Sequence, residues 1–153
     1  LRDRYHTYKL HMFGFIIGLM YYTSVNDYQE AIGYCDKAIA FFKARPYEAR
    51  VPLQIFYYQH LTCNIHLRQF EEGKESAQQC IKLMQEGTFN WFKYREPYLQ
   101  LSLHTGEFGR AEEILYETLQ HARFEFLPEN VKEIWRIYEA FVHFVISAVG
   151  GGG

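Results

Sequence analysis

The sequence lacks a surplus of charge of either sign. Its 153 residues include 16 Lys and Arg against 18 Asp and Glu, a formal net charge of −2. Nor do its basic residues form a stripe interleaved with aromatic residues, as they do in nucleic-acid-binding proteins. Nucleic acids and anionic membrane surfaces attract proteins through concentrated positive charge. We therefore expect neither of them as a partner.

Cysteine, proline and long apolar runs are also scarce. The cysteines are three, Cys35, Cys63 and Cys80, and they show no pairing pattern. We interpret them as buried thiols in a reducing, cytoplasmic compartment. The four prolines and the small number of serines argue against disorder. The longest apolar stretch, 12–22, is shorter than the roughly 18 residues that a membrane span requires.

Motifs of catalysis and metal binding are missing as well. The sequence has no phosphate-binding G-x-x-x-x-G-K-[ST] loop and no dinucleotide-binding G-x-G-x-x-G. The only cluster with metal-ligand side chains is His60-x-x-Cys63-x-x-His66. On a helix the first two share a face, whereas His66 is rotated away, and structural zinc normally takes four ligands. We therefore predict no metal, no cofactor and no enzymatic activity.

Aromatic residues are abundant, with 13 Tyr, 13 Phe and 2 Trp, and they recur at helical spacing. Apolar positions follow the i, i+3, i+4, i+7 pattern of amphipathic helices, and no useful stretch alternates with period two. Pro97 is expected either to kink the fifth helix or to follow an irregular lead-in over 89–96. Arg45-Pro46 predicts a break after the second helix. The predicted helices cover about 5–24, 27–43, 50–67, 70–86, 90–104, 107–123 and 129–147.

Three of these helices share one register, which indicates an internal repeat. Each has an aromatic residue, here called the anchor, followed three positions later by a tiny residue. The anchors are Tyr28, Phe70 and Phe108, and the tiny residues are Ala31, Gly73 and Ala111. The anchors are 42 and 38 residues apart. A tiny residue lets the second helix of a pair approach the first closely, and the anchor is expected to plug the end of the hairpin.

This register resembles the tetratricopeptide (TPR) repeat, whose second helix opens aromatic-x-x-Ala. Phe15 and Tyr22 fall on the family's aromatic positions in the first helix, and Tyr57 matches in the second repeat. The resemblance implies an all-α fold: a right-handed α-solenoid of antiparallel helix pairs, about seven helices in three and a half TPR-like units. We expect this domain to span 1–149, as a piece of a longer chain. Residues 150–153 are interpreted as a flexible tail or a cloning remnant.

In the family that this chain resembles, the first helices line a concave groove that binds peptides or partner helices. The resemblance therefore predicts a non-catalytic scaffold that binds a protein or peptide segment. Two alternatives stay open: a ligand- or peptide-sensing regulatory domain of a larger protein, and self-association through the apolar helix 129–147. The groove residues carried over by position are Phe13, Ile16, Met20, Tyr58, Thr62, Ile65, Lys93, Gln100, His104 and Arg136.

Overall fold

The protein is all-α in the computed structural model, which describes residues 2–45 and 49–151 and the side chains from residue 7 onward. Within these ranges the chain forms seven α-helices and one short 3₁₀ turn, and no strand. The helices are α1 (Arg2–Ser24), α2 (Tyr28–Lys43), α3 (Arg50–His66), α4 (Phe70–Lys82), α5 (Phe89–His104), α6 (Phe108–Leu119) and α7 (Glu129–Gly151), and the 3₁₀ turn is Phe124–Phe126.

The predicted helix ends agree with these bounds in most places, but the ends of α4, α6 and α7 are each four residues off. Helices α4 and α6 end four residues earlier than predicted, at Lys82 and Leu119. After α4 the Leu83 N–H donates to the Cys80 carbonyl, which tightens the last turn, and the chain then reaches Gly87 with φ +84. After α6 the chain turns into the 3₁₀ segment, where Phe124 is buried. Apolar residues thus continue past both helices without continuing the helical pattern.

Pro97 neither ends α5 nor delays its start. The helix begins at Phe89, where the Thr88 hydroxyl accepts a hydrogen bond from the Trp91 N–H, and it continues through Pro97 to His104. The alternative of an irregular lead-in over 89–96 is therefore wrong. Because proline has no N–H, the Lys93 carbonyl loses its usual helical donor. Helix α2 ends at Lys43, so Arg45 lies outside the helix, as the break predicted at Arg45-Pro46 requires. Pro46 lies outside the described residues.

The same turn occurs three times, between α1 and α2, α3 and α4, and α5 and α6. Each is three residues long and has one residue of positive φ two positions before the anchor: Asn26 (60°), Arg68 (59°) and Gly106 (78°). The residue after it donates its N–H to a carbonyl five positions back at 2.8 Å, in the pairs Asp27–Tyr22, Gln69–Asn64 and Glu107–Ser102. This is the Schellman pattern of helix termination. It places the anchor at the first residue of each following helix.

The positions of the predicted register lie in the interior on the second helices. Positions three, seven and ten residues after each anchor are all buried. They are Ala31, Cys35 and Ala38 in α2, Gly73, Ala77 and Cys80 in α4, and Ala111, Leu115 and Thr118 in α6. The unequal anchor spacing comes from helix length alone. Helix α2 (16 residues) is three residues longer than α4 (13), and α3 (17) is one longer than α5 (16).

The chain divides into two compact units, residues 1–83 (unit 1) and 84–153 (unit 2). In unit 1, α1 packs on α2, α2 on α3 and α3 on α4. Its largest fully buried side chains are Phe42, Phe56, Leu61 and Asn64.

In unit 2, α5 packs on α6 and α6 on α7. Its largest fully buried side chains are Phe92, Leu99, Leu101, Ile114, Leu115, Thr118, Trp135 and Val142. Helix α7 extends past its predicted end to Gly151, so the first two residues of the expected glycine tail are helical. Gly152 and Gly153 lie outside the described residues.

Candidate functional site

All ten predicted groove residues reach solvent at least in part. Six of them belong to unit 1 and four to unit 2. Those of unit 1 are Phe13, Ile16, Met20, Tyr58, Thr62 and Ile65, and those of unit 2 are Lys93, Gln100, His104 and Arg136. In each unit, one pocket among the described residues brings two of these members together.

In unit 1 that pocket has a volume of about 210 Å³ and combines Tyr58 and Thr62 of α3 with residues that were not predicted. Its lining is Thr23, Tyr28, Tyr58, Gln59, Thr62, Cys63 and His66. The anchor Tyr28 stacks on His66, with ring centroids 4.3 Å apart and planes 1° from parallel. The Thr62 hydroxyl donates to the Tyr58 carbonyl at 2.8 Å. The anchor of α2 is therefore both a packing residue and a wall of this pocket.

The thiol in this pocket is not set up as a nucleophile. Burial raises the pKa of Cys63, so the thiol is protonated at neutral pH. A reactive cysteine needs the opposite, because the thiolate is the attacking form. The pocket can therefore bind a small group but has no activated sulfur.

The pocket of unit 2 that contains predicted residues has a volume of about 340 Å³ and lies where α5, the start of α6 and α7 meet. Gln100 and His104 line it together with Leu103, Phe108, Tyr138, Phe141 and Val145. The other two candidates of this unit are elsewhere. The Lys93 Nζ atom is 5.8 Å from the ring centroid of Tyr94, and the Arg136 Nη1 atom is 3.9 Å from Glu129 Oε2.

Tyr138 gives this pocket its polar end. Its hydroxyl donates to Glu96 Oε1 at 2.8 Å and accepts a hydrogen bond from the Gln100 side-chain amide. Burial, followed by the hydrogen bond to Glu96, raises the pKa of Tyr138 to about 12. The phenol therefore stays neutral and presents a fixed dipole beside an apolar wall. Sequence analysis missed this role, since Tyr138 belongs to the apolar face of the last predicted helix.

A third pocket, of about 390 Å³ in unit 2, contains none of the predicted residues. It is lined by Gly87, Phe89, Arg123, Phe126, Leu127 and Pro128. A side chain at residue 87 would meet its neighbours, since a Cβ atom there would lie 2.8 Å from His121 Cε1. The glycine therefore leaves room for the contact between this turn and the segment after α6.

His60 joins a hydrogen-bonded cluster across three helices. Its Nδ1 atom is 2.6 Å from Ser76 Oγ in α4, and its Nε2 atom is 3.0 Å from Asp36 Oδ1 in α2. The Asn64 amide reaches the same Nδ1 at 2.9 Å. Serine, histidine and aspartate are the types of a hydrolytic triad. Here Ser76 is buried in the middle of α4 and lines none of the three pockets. The cluster therefore connects α2, α3 and α4.

In the described part of the chain, no group of three or more His, Cys, Asp and Glu side chains could hold a metal ion. No helix there combines the length and the apolar character that crossing a membrane requires. Comparisons with protein-family models, with curated proteins and with solved structures found no match to this chain.

Proposed function

We propose that this chain is a non-catalytic interaction module: a TPR-like, right-handed α-solenoid of antiparallel helix pairs that binds a peptide or a partner helix. Three features support the solenoid. The same three-residue turn closes each helix pair, the anchor starts each second helix, and the small residues after it are buried. A solenoid is built from one such structural unit stacked repeatedly.

The pocket between α5 and α7 is the proposed binding site, and its lining carries the proposal. Leu103, Phe141 and Val145 form an apolar wall, and the amide of Gln100 and the hydroxyl of Tyr138 stand at one end. Pockets of about 300–1,000 Å³ with apolar walls and a few fixed polar groups are typical ligand sites. An amphipathic helix would place one or two apolar side chains against the wall and a polar group at Tyr138.

The buried thiols support a cytoplasmic location as part of the same proposal. The three cysteines are free and buried, and burial raises the pKa of Cys80 to about 12. Unpaired cysteines of this kind persist where the compartment is reducing.

Selection from a random peptide display library, followed by affinity measurement, tests the binding site. We expect synthetic versions of the selected peptides to bind the unmodified chain saturably. Val145→Phe should weaken binding at least tenfold, because the larger ring fills the pocket. The matched control is Val51→Phe, on an exposed position of α3 in unit 1, which should leave the affinity unchanged.

Circular dichroism spectra of both variants establish that they are folded. The proposal fails if no selected peptide binds saturably. It fails equally if the two phenylalanine variants bind the peptides alike.

A further inference from the structure

Helix α7 carries an exposed apolar stripe on the side opposite its buried residues. Trp135 and Val142 are fully buried. The stripe consists of Ile134, Ile137, Phe141 and Phe144, spaced by three, four and three residues. Ile137 is 67% exposed and Phe144 is 70% exposed. This spacing is the seam of paired helices, in which side chains of one helix fit between those of the other.

Helix α1 carries a second exposed stripe with the same spacing. It consists of Leu10, Phe13, Ile17 and Met20, and Ile17 is 66% exposed. Two of these, Phe13 and Met20, are predicted groove residues. On the other side of α1, Leu19 is buried and Phe15 packs on Phe42 of α2 at 6.2 Å between ring centroids. Over 10–20 the helix is therefore apolar on both sides, a pattern typical of helices covered on both sides.

The two stripes have the area that an interface needs. Four large apolar side chains, each more than a third exposed, place each stripe within the range of about 300–600 Å² that the largest apolar patch of a typical monomer covers. Two such stripes packed together bury about 600–1,200 Å² in total, a range that includes the roughly 1,000 Å² required of a specific protein interface. A stripe that stays exposed to water buries none of this area.

Charge favours pairing the two different stripes rather than two copies of the same one. The sequence of helix α1, over its described side chains, holds one basic residue (Lys9) and no acidic residue. That of helix α7 holds three acidic residues (Glu129, Glu133 and Glu139) and two basic residues, Lys132 and Arg136. Two α1 helices, or two α7 helices, would bring like net charges together. One α1 against one α7 brings opposite net charges together, which favours that encounter.

We propose that copies of this chain associate head to tail, with the α7 stripe of one copy packed on the α1 stripe of a second copy. Such an interface is heterologous, so each bound copy still offers one unpaired stripe and the assembly grows with concentration. The α7 stripe shares Phe141 with the proposed binding pocket, but its most exposed central residue, Ile137, does not line that pocket. A substitution at Ile137 therefore tests assembly separately from peptide binding.

Complementation between two single variants tests the proposal by sedimentation velocity over a concentration series. Ile17→Glu disables the α1 stripe and Ile137→Glu disables the α7 stripe. We expect the unmodified chain to gain mass with concentration and each variant alone to stay monomeric. An equal mixture of the two should form a dimer and stop there, because one intact stripe of each kind remains. Val51→Glu, at a similarly exposed position of α3, should assemble like the unmodified chain.

Three results would overturn the proposal: a monomeric unmodified chain at every concentration, a mixture that stays monomeric, or loss of assembly with Ile137→Glu but not with Ile17→Glu. The last result would mean that α7 pairs with α7. Ile17→Ser and Ile137→Ser replace the glutamate variants if circular dichroism shows that those are unfolded. The monomeric variants should still bind the selected peptides, so failure of assembly and failure of the proposed function are separable.

Discussion

Two helix pairs of this chain, α3–α4 in unit 1 and α5–α6 in unit 2, share a backbone plan and differ in how they are fastened. Both have the three-residue turn, the anchor at the start of the second helix and a buried tiny residue after it. The first pair is held by the ring of His60, between Ser76 and Asp36. The second is held by Arg95, which is buried and reaches across to α6.

The difference shows at which equivalent positions the residue type stays the same and at which it varies. Arg95 stands where the preceding repeats have the aromatic residues Phe15 and Tyr57. Its guanidinium lies 4.4 Å from the centroid of Trp91, so it also packs as a flat group against an aromatic ring. The small residues and the turn are the constant part. The large residue facing them can be aromatic or cationic, provided that it fills the space and its polar atoms are bonded.

Removing the Arg95 side chain should lower the free energy of unfolding more than the other substitutions described below. The guanidinium donates to Thr118 Oγ1 at 2.9 Å, to the Ile114 carbonyl at 3.3 Å and to Glu117 Oε2 at 2.7 Å. Arg95→Ala removes these bonds and the packing on Trp91, and we expect a loss of about 2–3 kcal/mol in the free energy of unfolding. Urea unfolding followed by tryptophan fluorescence measures this, since the two tryptophans, 91 and 135, are in unit 2.

His60→Ala is the counterpart in unit 1 and should cost about 1 kcal/mol. The reason is that its partners keep other bonds. The Asn64 amide still reaches the carbonyl of residue 60 at 2.9 Å, the Ser76 hydroxyl still reaches the Glu72 carbonyl at 3.2 Å, and Asp36 is exposed. Circular dichroism at 222 nm follows this unfolding. Equal losses from His60→Ala and Arg95→Ala would contradict the contrast between the two fastenings.

Two glycines of α1 test how closely this helix packs on α2. A Cβ atom on Gly18 would lie 2.8 Å from Tyr34 Cδ1, so Gly18→Ala forces the tyrosine ring to move and should cost about 1–2 kcal/mol. Gly14 has no atom within 4 Å of such a Cβ, and Gly14→Ala should stabilise the helix by about 0.5–1 kcal/mol. Thermal unfolding should therefore shift in opposite directions. A shift of the same sign in both variants would show that α1 does not pack closely at Gly18.

The turns should give effects of no more than about 1 kcal/mol, of opposite sign in two variants. Arg68 has φ +59, which is strained for a side chain with a Cβ atom, whereas Gly106 holds the equivalent position without strain. Arg68→Gly should raise the free energy of unfolding by about 0.5–1 kcal/mol, and Gly106→Ala should lower it by about 1 kcal/mol. Urea unfolding by circular dichroism compares the two. A loss of stability in Arg68→Gly would mean that the Arg68 side chain, 5.8 Å from the ring of Phe70, contributes more than its backbone strain costs.

The helices and the register of the second helices follow from the sequence because both depend on local spacing. Tiny residues that recur three positions after an aromatic residue are typical of closely packed helices, and the structure buries all of them. The helix ends were harder to place where apolar residues continue past them, as after Lys82 and Leu119. After Leu119 the chain turns to bury Phe124, and after Lys82 the Leu83 carbonyl accepts hydrogen bonds from Arg50 and Gln54 of α3. No local pattern records such tertiary contacts.

The candidate site was less accessible to sequence analysis because its contacts join distant residues. Tyr138 meets Glu96 across 42 positions, and His60 meets Asp36 across 24. The sequence predicts that His66 is rotated away from the face of His60 and Cys63 and that Cys63 is buried, but it does not predict their contacts. In the structure His60 is hydrogen-bonded to Ser76, Cys63 is a buried thiol, and His66 stacks on Tyr28. Position in a register identifies a face of a helix, not the side chains that a neighbouring helix brings to it.

The connections between helices differ in how much change of length they can accept. The three turns within pairs have three residues each, whereas the stretches that follow α2, α4 and α6 have six, six and nine. An insertion within such a turn would disrupt the hydrogen bond that spans it and move the anchor from its place at the start of the second helix. Insertions, tags and reporter domains should therefore be tolerated after the second helices, where the chain already varies, and rejected between the members of a pair.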